Sequence, residues 1–228
     1  MAAANFSQAV NNLISMKSEI VQALWETFVM VGLSTLLATI FGTVLGVYMY
    51  VTASKQLYRN QRFNSIAEGV VNLIRAFPFV ILMIAMIPFT RMVIGIAIGP
   101  IAASLVLSVS GVFFFARLVE QNLREVPRGI IEAAISMGAS PFTVIIRVLL
   151  NEARSGMVSS ITVLSISLLS YSAAAGMIGG GGLGDLAIRY GYYRYQTEVI
   201  IFIVAVLALL VILMQSLGNF IARKLDKR

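Results

Sequence analysis

The chain has 228 residues and contains neither cysteine nor histidine. Without thiols it can form no disulfide and no thiolate metal site, and without imidazoles it lacks the commonest general acid and base of enzymes. Charge is also scarce, because only 12% of the residues are Asp, Glu, Lys or Arg, whereas 59% are hydrophobic. Soluble domains carry about twice that charged fraction. The composition therefore excludes an ordinary soluble globule and indicates a polytopic membrane protein.

Apolar stretches long enough to cross a membrane occur five times, since a spanning helix needs about 20 largely apolar residues. The second stretch reaches that length only with Arg75 inside it, and the third follows so closely that the two are predicted to form a tight hairpin. Proline and glycine residues place its turn between residues 88 and 100. We predict an all-α fold with five transmembrane helices in residues 27–54, 66–90, 92–116, 155–184 and 199–222.

The basic residues indicate how these helices are oriented. The connections after the first and third spans, together with the C-terminal tail, hold twelve Lys and Arg, against four in the remaining connections and the N-terminal segment. Basic residues collect on the cytoplasmic side, so we predict the N-terminus outside and the C-terminus inside. Because the positive charge follows topology, we expect contact with membrane lipid and not with nucleic acid. The predicted parts are an external or interfacial segment (1–26), a single transmembrane domain (27–222) with a cytoplasmic loop (117–154), and a basic cytoplasmic tail (223–228).

Three local patterns have structural interpretations. A surface helix lying in the membrane interface, anchored by Trp25, explains the side chains that share one helical face near the N-terminus: Phe6, Val10, Leu13 and Lys17. Gly42 and Gly46 form a GxxxG pattern, which allows two helices to approach closely. The glycine run at residues 179–184 lacks the Lys-Ser/Thr of a phosphate-binding loop, and we interpret it as a flexible external loop.

The fourth predicted span is rich in hydroxyl groups. Ser159, Thr162 and Ser170 fall on one side of this helix, and Tyr171 lies beside them. Hydroxyls at this density either form hydrogen bonds between helices or line a water-filled path, and the pattern alone does not separate the two. A small polar solute would suit such a path, because a hydroxyl can both donate and accept a hydrogen bond. These four residues are the candidate translocation path.

The sequence lacks the groups with which membrane proteins harness energy or catalyse reactions. No carboxylate lies in the middle of a predicted span, where proton- or sodium-coupled carriers usually place an acid. No Walker A motif is present either. We therefore expect no catalytic site and no cofactor or metal bound by this chain. If the protein pumps a solute, a partner must supply the energy.

Two short helices are predicted inside the cytoplasmic loop. The first includes Glu132 and is ended by Gly138. Ser140 as N-cap, followed by Pro141 at the first helical position, predicts the start of the second. A compact pair of helices without catalytic residues suits docking to a partner. An amphipathic surface hairpin would explain the same helix signals.

The residues of this loop resemble the EAA motif of ABC-importer permeases. The matching positions are Glu132-Ala133-Ala134, Gly138 and Val148-Leu149-Leu150, and Asn151 stands where the family usually has proline. The stretches 75–82, 86–91 and 171–184 resemble bacterial methionine-uptake permeases. Together the matches cover most of residues 20–222.

This resemblance implies a type I ABC importer permease fold, in a homodimer of five-span subunits in the bacterial inner membrane. Two cytoplasmic ATP-binding cassette subunits would bind ATP and magnesium, and an external substrate-binding lipoprotein would deliver D- or L-methionine. Six residues would couple the permease to the ATPase: Glu132, Ala133, Ala134, Gly138, Ser140 and Pro141. The alternatives are import of another small amino acid or sulfur compound, a pore or scaffold without an ATPase, and a membrane-embedded enzyme.

Overall fold

The computed structural model describes residues 10–53, 57 and 60–226, and within these ranges it is built from helices without a strand. The predicted all-α class is therefore confirmed. Residues 10–15 are helical as well. The helices are α1 (Lys17–Thr52), α2 (Gln61–Ala76), α3 (Phe79–Ala85), α4 (Ile87–Ile94), α5 (Pro100–Arg124), α6 (Arg128–Ser136), α7 (Pro141–Thr143), α8 (Leu150–Glu152), α9 (Arg154–Gly176), α10 (Gly182–Leu186) and α11 (Thr197–Leu225), with π-helical segments at Val144–Leu149 and Ala187–Tyr192.

Four of these helices, α1, α5, α9 and α11, are long and apolar enough to cross a membrane. The predicted second span is broken, because α2 and α3 pass the same test only as a pair and are bent by 101° at Phe77-Pro78. Phe77 has extended dihedral angles (φ −75°, ψ 132°), as expected for a residue before proline. Counting this pair as one broken span gives the five predicted spans.

The turn between the second and third predicted spans lies at residues 95–99, inside the predicted region. Gly95 ends α4 with a left-handed φ of 73°, and Gly99 has a φ of 115° just before Pro100 begins α5. Residues other than glycine rarely adopt such angles, so the two glycines allow the reversal. Pro88 and Arg91 lie within α4, and the Arg91 carbonyl accepts from the Gly95 amide at 3.0 Å, where the turn begins.

The described chain divides into two compact units, the first of which comprises residues 10–34, 79–107 and 166–213. Its core contains the side chains Met16, Ile20, Ala23, Leu183, Leu186, Val199 and Ile203. Leu13 packs against this cluster, and the Asn12 amide donates to the Glu198 carboxylate at 2.9 Å. The described part of the N-terminal segment is thus held by contacts within the protein, which the prediction of a surface helix did not include. Phe6 lies outside the described residues.

The second unit comprises the described residues within 35–78, together with 108–165 and 214–226. Its α1 and α5 segments pack closely at the GxxxG pattern. A Cβ placed on Gly42 would lie 2.9 Å from the Val112 carbonyl oxygen, and one on Gly46 would lie 2.5 Å from that of Ala116. The pattern therefore serves helix packing within one chain.

The end of α5 carries a buried carboxylate. Glu120 is fully buried, and its two oxygens accept hydrogen bonds from Arg117 at 2.6 Å and from Arg124 at 2.5 Å. The predicted cytoplasmic loop began at Arg117, but α5 continues to Arg124, so the first eight residues of that loop are the last two turns of a spanning helix. Burial of Glu120 is possible because both arginines compensate its charge.

Candidate functional site

The predicted pair of short helices is present, and we call residues 128–143 the knob. Its first helix, α6, ends at Ser136, and Gly138 follows with φ 81°. The Gly138 amide donates to the Ile135 carbonyl at 2.9 Å, and the Ala139 amide donates to the Ala134 carbonyl at 3.1 Å. Glycine ends the helix here in the predicted way, because left-handed angles disfavour a side chain.

The start of the second helix is also confirmed. Ser140 is extended (φ −66°, ψ 153°), its hydroxyl oxygen accepts from the Thr143 amide at 3.3 Å, and Pro141 occupies the first turn. Helical structure then continues without interruption through Asn151 to Glu152. Asn151, which stands at the family's proline position, therefore lies inside a helix, and the break before α9 falls at Ala153.

The six predicted coupling residues occupy different environments. Glu132 and Ala133 are exposed on α6, whereas Ala134 is buried within the chain, so only the first two of the three Glu-Ala-Ala positions are available to a partner. Pro141 is half-buried, and Gly138 and Ser140 are exposed. A Cβ on Gly138 would meet nothing within 4 Å, so within this chain position 138 favours glycine because of its left-handed φ and not because of packing.

Sequence reasoning did not identify two apolar side chains at the tip of the knob. Met137 is 83% exposed and Phe142 is 73% exposed, and they lie on either side of the Gly138 turn. Together with the predicted docking role of this loop, we interpret the two side chains as candidate contacts to a partner. Other residues of the knob border an open cavity of about 520 Å³, which is lined by Leu57, Arg128, Ile131, Glu132, Ile135, Ala139 and Pro141. The ion pairs of the described residues do not include Arg128 with Glu132, so the Glu132 carboxylate is not neutralised by that neighbour.

The candidate path residues divide into two groups. Ser159 and Ser170 are exposed on α9, and each hydroxyl donates to a carbonyl one turn earlier in the same helix, at 3.2 and 3.3 Å. Thr162 is buried instead, and it fits against Gly218 so closely that this glycine has no room for a Cβ. Tyr171 is half-buried and stacks on Phe79, with ring centroids 4.8 Å apart and planes 9° apart. Of the four candidates, only the two serines are exposed in the single chain.

The glycine run at residues 179–184 is not the flexible loop that we predicted. Gly179, Gly181 and Gly182 have φ between 77° and 85°, and the run leads directly into α10. A Cβ on Gly184 would overlap the Ala173 backbone. The segment is a close-packed turn, and glycine is required there by both its angles and its contacts.

Two side chains at the start of the first span hold this turn in place. The Glu26 carboxylate accepts from the Gly182 amide at 2.8 Å, and the Thr27 hydroxyl accepts from the Leu183 amide at 2.9 Å. They satisfy amide groups at the beginning of α10, which has glycine and no polar side chain at its N-cap. No local signal predicts this arrangement, because the partners are 156 residues apart.

Comparison with known proteins places the chain among transport proteins. Residues 42–228 match the family described as "Binding-protein-dependent transport system inner membrane component". The "Probable D-methionine transport system permease protein MetI" of Vibrio cholerae is 43% identical over 206 residues, which cover 90% of this chain and 92% of that protein. The "Methionine import system permease protein MetP" of Bacillus subtilis is 41% identical over 180 residues, which cover 79% and 81%.

Solved structures agree with these relatives. A chain of an inward-facing MetNI methionine ABC transporter superposes with a TM-score of 0.92 at 39% identity, covering 93% of this chain and 99% of that one. A chain of an amino acid ABC transporter has the same fold, with a TM-score of 0.73 at 20% identity.

Proposed function

Because the chain belongs to the family of binding-protein-dependent transport system inner membrane components, we propose that it is the membrane-spanning permease subunit of an ATP-driven methionine importer. It is a multi-pass protein of the bacterial inner membrane. The choice of methionine as the solute rests on the similarity to two permeases named for methionine transport, each over most of its length. These relatives favour methionine over another small amino acid or sulfur compound.

The same similarity supports a composite assembly. The permease forms a homodimer, and two ATP-binding cassette subunits bind ATP and magnesium and hydrolyse the nucleotide, so the permease itself performs no catalysis. An external binding lipoprotein delivers the amino acid. Family membership therefore favours this importer over a pore, a scaffold or a membrane-embedded enzyme.

The knob supplies the mechanical connection in this proposal. Glu132 and Ala133 offer an exposed helical face, and Met137 and Phe142 offer apolar anchors beside the Gly138 turn. A projection with apolar anchors and one exposed carboxylate suits a cleft in the ATPase, because interface energy concentrates in such anchors and charge complementarity sets the orientation. ATP-driven closure of the two ATPase subunits then moves the knobs and switches the permease from inward-facing to outward-facing. This role places the knob in the cytoplasm, the N-terminus outside and the C-terminus inside.

Charge reversal tests the docking role. Because Glu132 is exposed, Glu132→Lys should leave folding and dimerisation intact. If the docked carboxylate faces a cation of the ATPase, the same change should weaken ATPase binding by at least about tenfold. The matched control is Glu125→Lys, an exposed charge reversal outside the knob. Co-purification with the ATPase and hydrolysis stimulated by binding protein in proteoliposomes are measured together. If Glu132→Lys keeps both at the wild-type level, the knob is not the coupling element.

Radiolabelled uptake by the reconstituted complex tests the solute. Methionine should accumulate in an ATP-dependent manner, and unlabelled methionine should compete better than other amino acids. Transport of a different amino acid without methionine uptake would disprove the proposed substrate while leaving the importer class intact.

A further inference from the structure

Helix α2 exposes two chemically different faces in the single chain. One face is apolar, with Phe63, Ile66, Val70 and Leu73 exposed. The other carries Ser65, Gly69 and Asn72, which are also exposed and recur at the spacing of one helical stripe, and we call these three residues the α2 polar face. Asn64 and Val71 are buried between the two faces. The helix is therefore amphipathic without a partner for either exposed face within the described chain.

Contacts on its buried side pack α2 against the spanning helices α1 and α5. The Thr52 hydroxyl of α1 contacts the Asn64 amide oxygen at 3.3 Å, and Val71 clusters with Met49 of α1 and Ala116 of α5. Asn64 of α2 contacts Thr52 of α1, whereas Val71, further along α2, lies with the earlier residue Met49. The two helices therefore run antiparallel. Asn72 follows Gln61 by eleven residues, or about 16 Å at 1.5 Å per residue. In the proposed five-span arrangement, in which α2 enters the membrane at its first residue, this distance puts Asn72 about halfway across the hydrocarbon core.

An amide at this depth is unfavourable against lipid, because hydrocarbon offers it no hydrogen bond. The apolar face of α2 already provides a surface that lipid or an apolar neighbour can cover. The polar face therefore points toward water or a polar solute. Gly69 agrees with this assignment, because a Cβ there would meet nothing within 4 Å, unlike one at Gly42 or Gly46, which pack against α5. The glycine leaves space beside Asn72 that the chain does not fill itself.

We propose that the α2 polar face lines the translocation path and that Asn72 forms a transient contact with the amino acid in transit. This inference rests on the proposed importer function. A carboxamide has both a donor and an acceptor, so its NH₂ group can donate to the substrate carboxylate and its oxygen can accept from the substrate ammonium group. It carries no fixed charge that would retain a zwitterion. In the homodimer, each subunit contributes one such face.

Uptake by variants in the reconstituted complex tests the contact. Asn72→Leu should lower methionine uptake by about tenfold, the effect of losing a hydrogen bond to a charged group. Asn72→Gln, which keeps the carboxamide, should retain most of the uptake. Leu73→Ala, on the neighbouring apolar face, should stay within about twofold of wild type. Co-purification and basal ATP hydrolysis should be unchanged in all three.

Thiol labelling separates this inference from the proposed function. Because the native chain has no cysteine, Asn72→Cys should react with a small water-soluble thiol reagent in the assembled complex, and Leu73→Cys should not. Wild-type methionine uptake together with normal uptake by Asn72→Leu would disprove the contact. A disulfide between the two copies of Asn72→Cys, with no reaction toward the reagent, would place the face in a closed dimer contact and disprove the path. If the wild-type complex fails to transport methionine but Asn72→Cys is labelled, the solute is wrong and the water-lined face stands.

Discussion

Gly46 of α1 lies against the backbone of Ala116 in α5, so that a methyl group on Gly46 would come 2.5 Å from the Ala116 carbonyl oxygen and 2.7 Å from the Val119 Cβ. The neighbouring atoms belong to a helix backbone and a β-branched side chain, neither of which can easily move away. The two helices can approach this closely only because position 46 has no side chain.

Gly46→Ala should therefore destabilise the protein even though alanine favours a helix. Overpacking at a close helix contact costs about 1–3 kcal/mol, which exceeds the gain of about 1 kcal/mol in helix propensity. Gly32→Ala is the matched control, because it lies in the same helix and a Cβ there would meet nothing within 4 Å. Thermal unfolding in detergent should be lower for Gly46→Ala and unchanged or higher for Gly32→Ala. Equal effects of the two variants would contradict the packing at Gly46.

A second prediction concerns the buried Glu120. Its carboxylate is shielded from solvent, while Arg117 and Arg124 remain partly exposed. Glu120→Gln leaves two cations around a buried neutral amide, and we expect a loss of about 2 kcal/mol in unfolding free energy. Asp185→Asn serves as the control. Asp185 pairs with a largely exposed Arg189 at 2.7 Å, and such pairs contribute at most about 1 kcal/mol. If Glu120→Gln and Asp185→Asn lower the unfolding midpoint by the same amount, Glu120 is not a stabilising centre.

The ends of the knob helices could be predicted from sequence because each depends on neighbouring residues. Gly138 supplies the left-handed angle and Ser140 supplies the capping oxygen within a few residues of the groups that they serve. The burial of Glu120 could not be predicted, since it depends on how α5 packs. The bend at Phe77-Pro78 had a local signal in the proline, but residues 66–90 together have the length of one spanning helix, so no break was predicted there.

The candidate path could be predicted only in part. Periodicity predicts that Ser159, Thr162 and Ser170 lie on one side of a helix, and all three belong to α9. Periodicity does not show what covers that side, and Gly218 of α11 covers Thr162 while leaving Ser159 and Ser170 open. Helical periodicity thus identifies which residues share a face, whereas the residues packed against that face decide its role.

Leucine substitutions in α9 should separate these roles. Ser170→Leu should reduce uptake by obstructing a path, while Ser170→Ala should have little effect, because the serine hydroxyl is bonded to its own helix. Thr162→Leu should instead lower the unfolding temperature, since the larger side chain would press on Gly218. Uptake in proteoliposomes and thermal unfolding are measured on the same preparations. If Ser170→Leu and Ser159→Leu both transport normally, the two serines face lipid or pack against other helices and do not line the path.

The proposed orientation can be tested with single cysteines in this cysteine-free chain. Met137→Cys in the knob should be protected from an impermeant thiol reagent in intact cells and labelled after the membrane is opened. Tyr193→Cys, between α10 and α11, should be labelled in intact cells. Both native side chains are well exposed, and both have ordinary negative φ angles, so the substitutions should not disturb the backbone. The reverse labelling pattern would invert the topology.

The contacts from Glu26 and Thr27 to Gly182 and Leu183 join positions 156 residues apart. A ribosome makes the first pair long before the second, so α1 enters the bilayer without the backbone amides that it later binds. The turn at residues 179–184 reaches its close-packed form only when the emerging chain returns to a helix inserted much earlier. Insertion of the first helix and completion of the glycine turn are therefore separate events in biogenesis, and the late one depends on the early one having stayed in place.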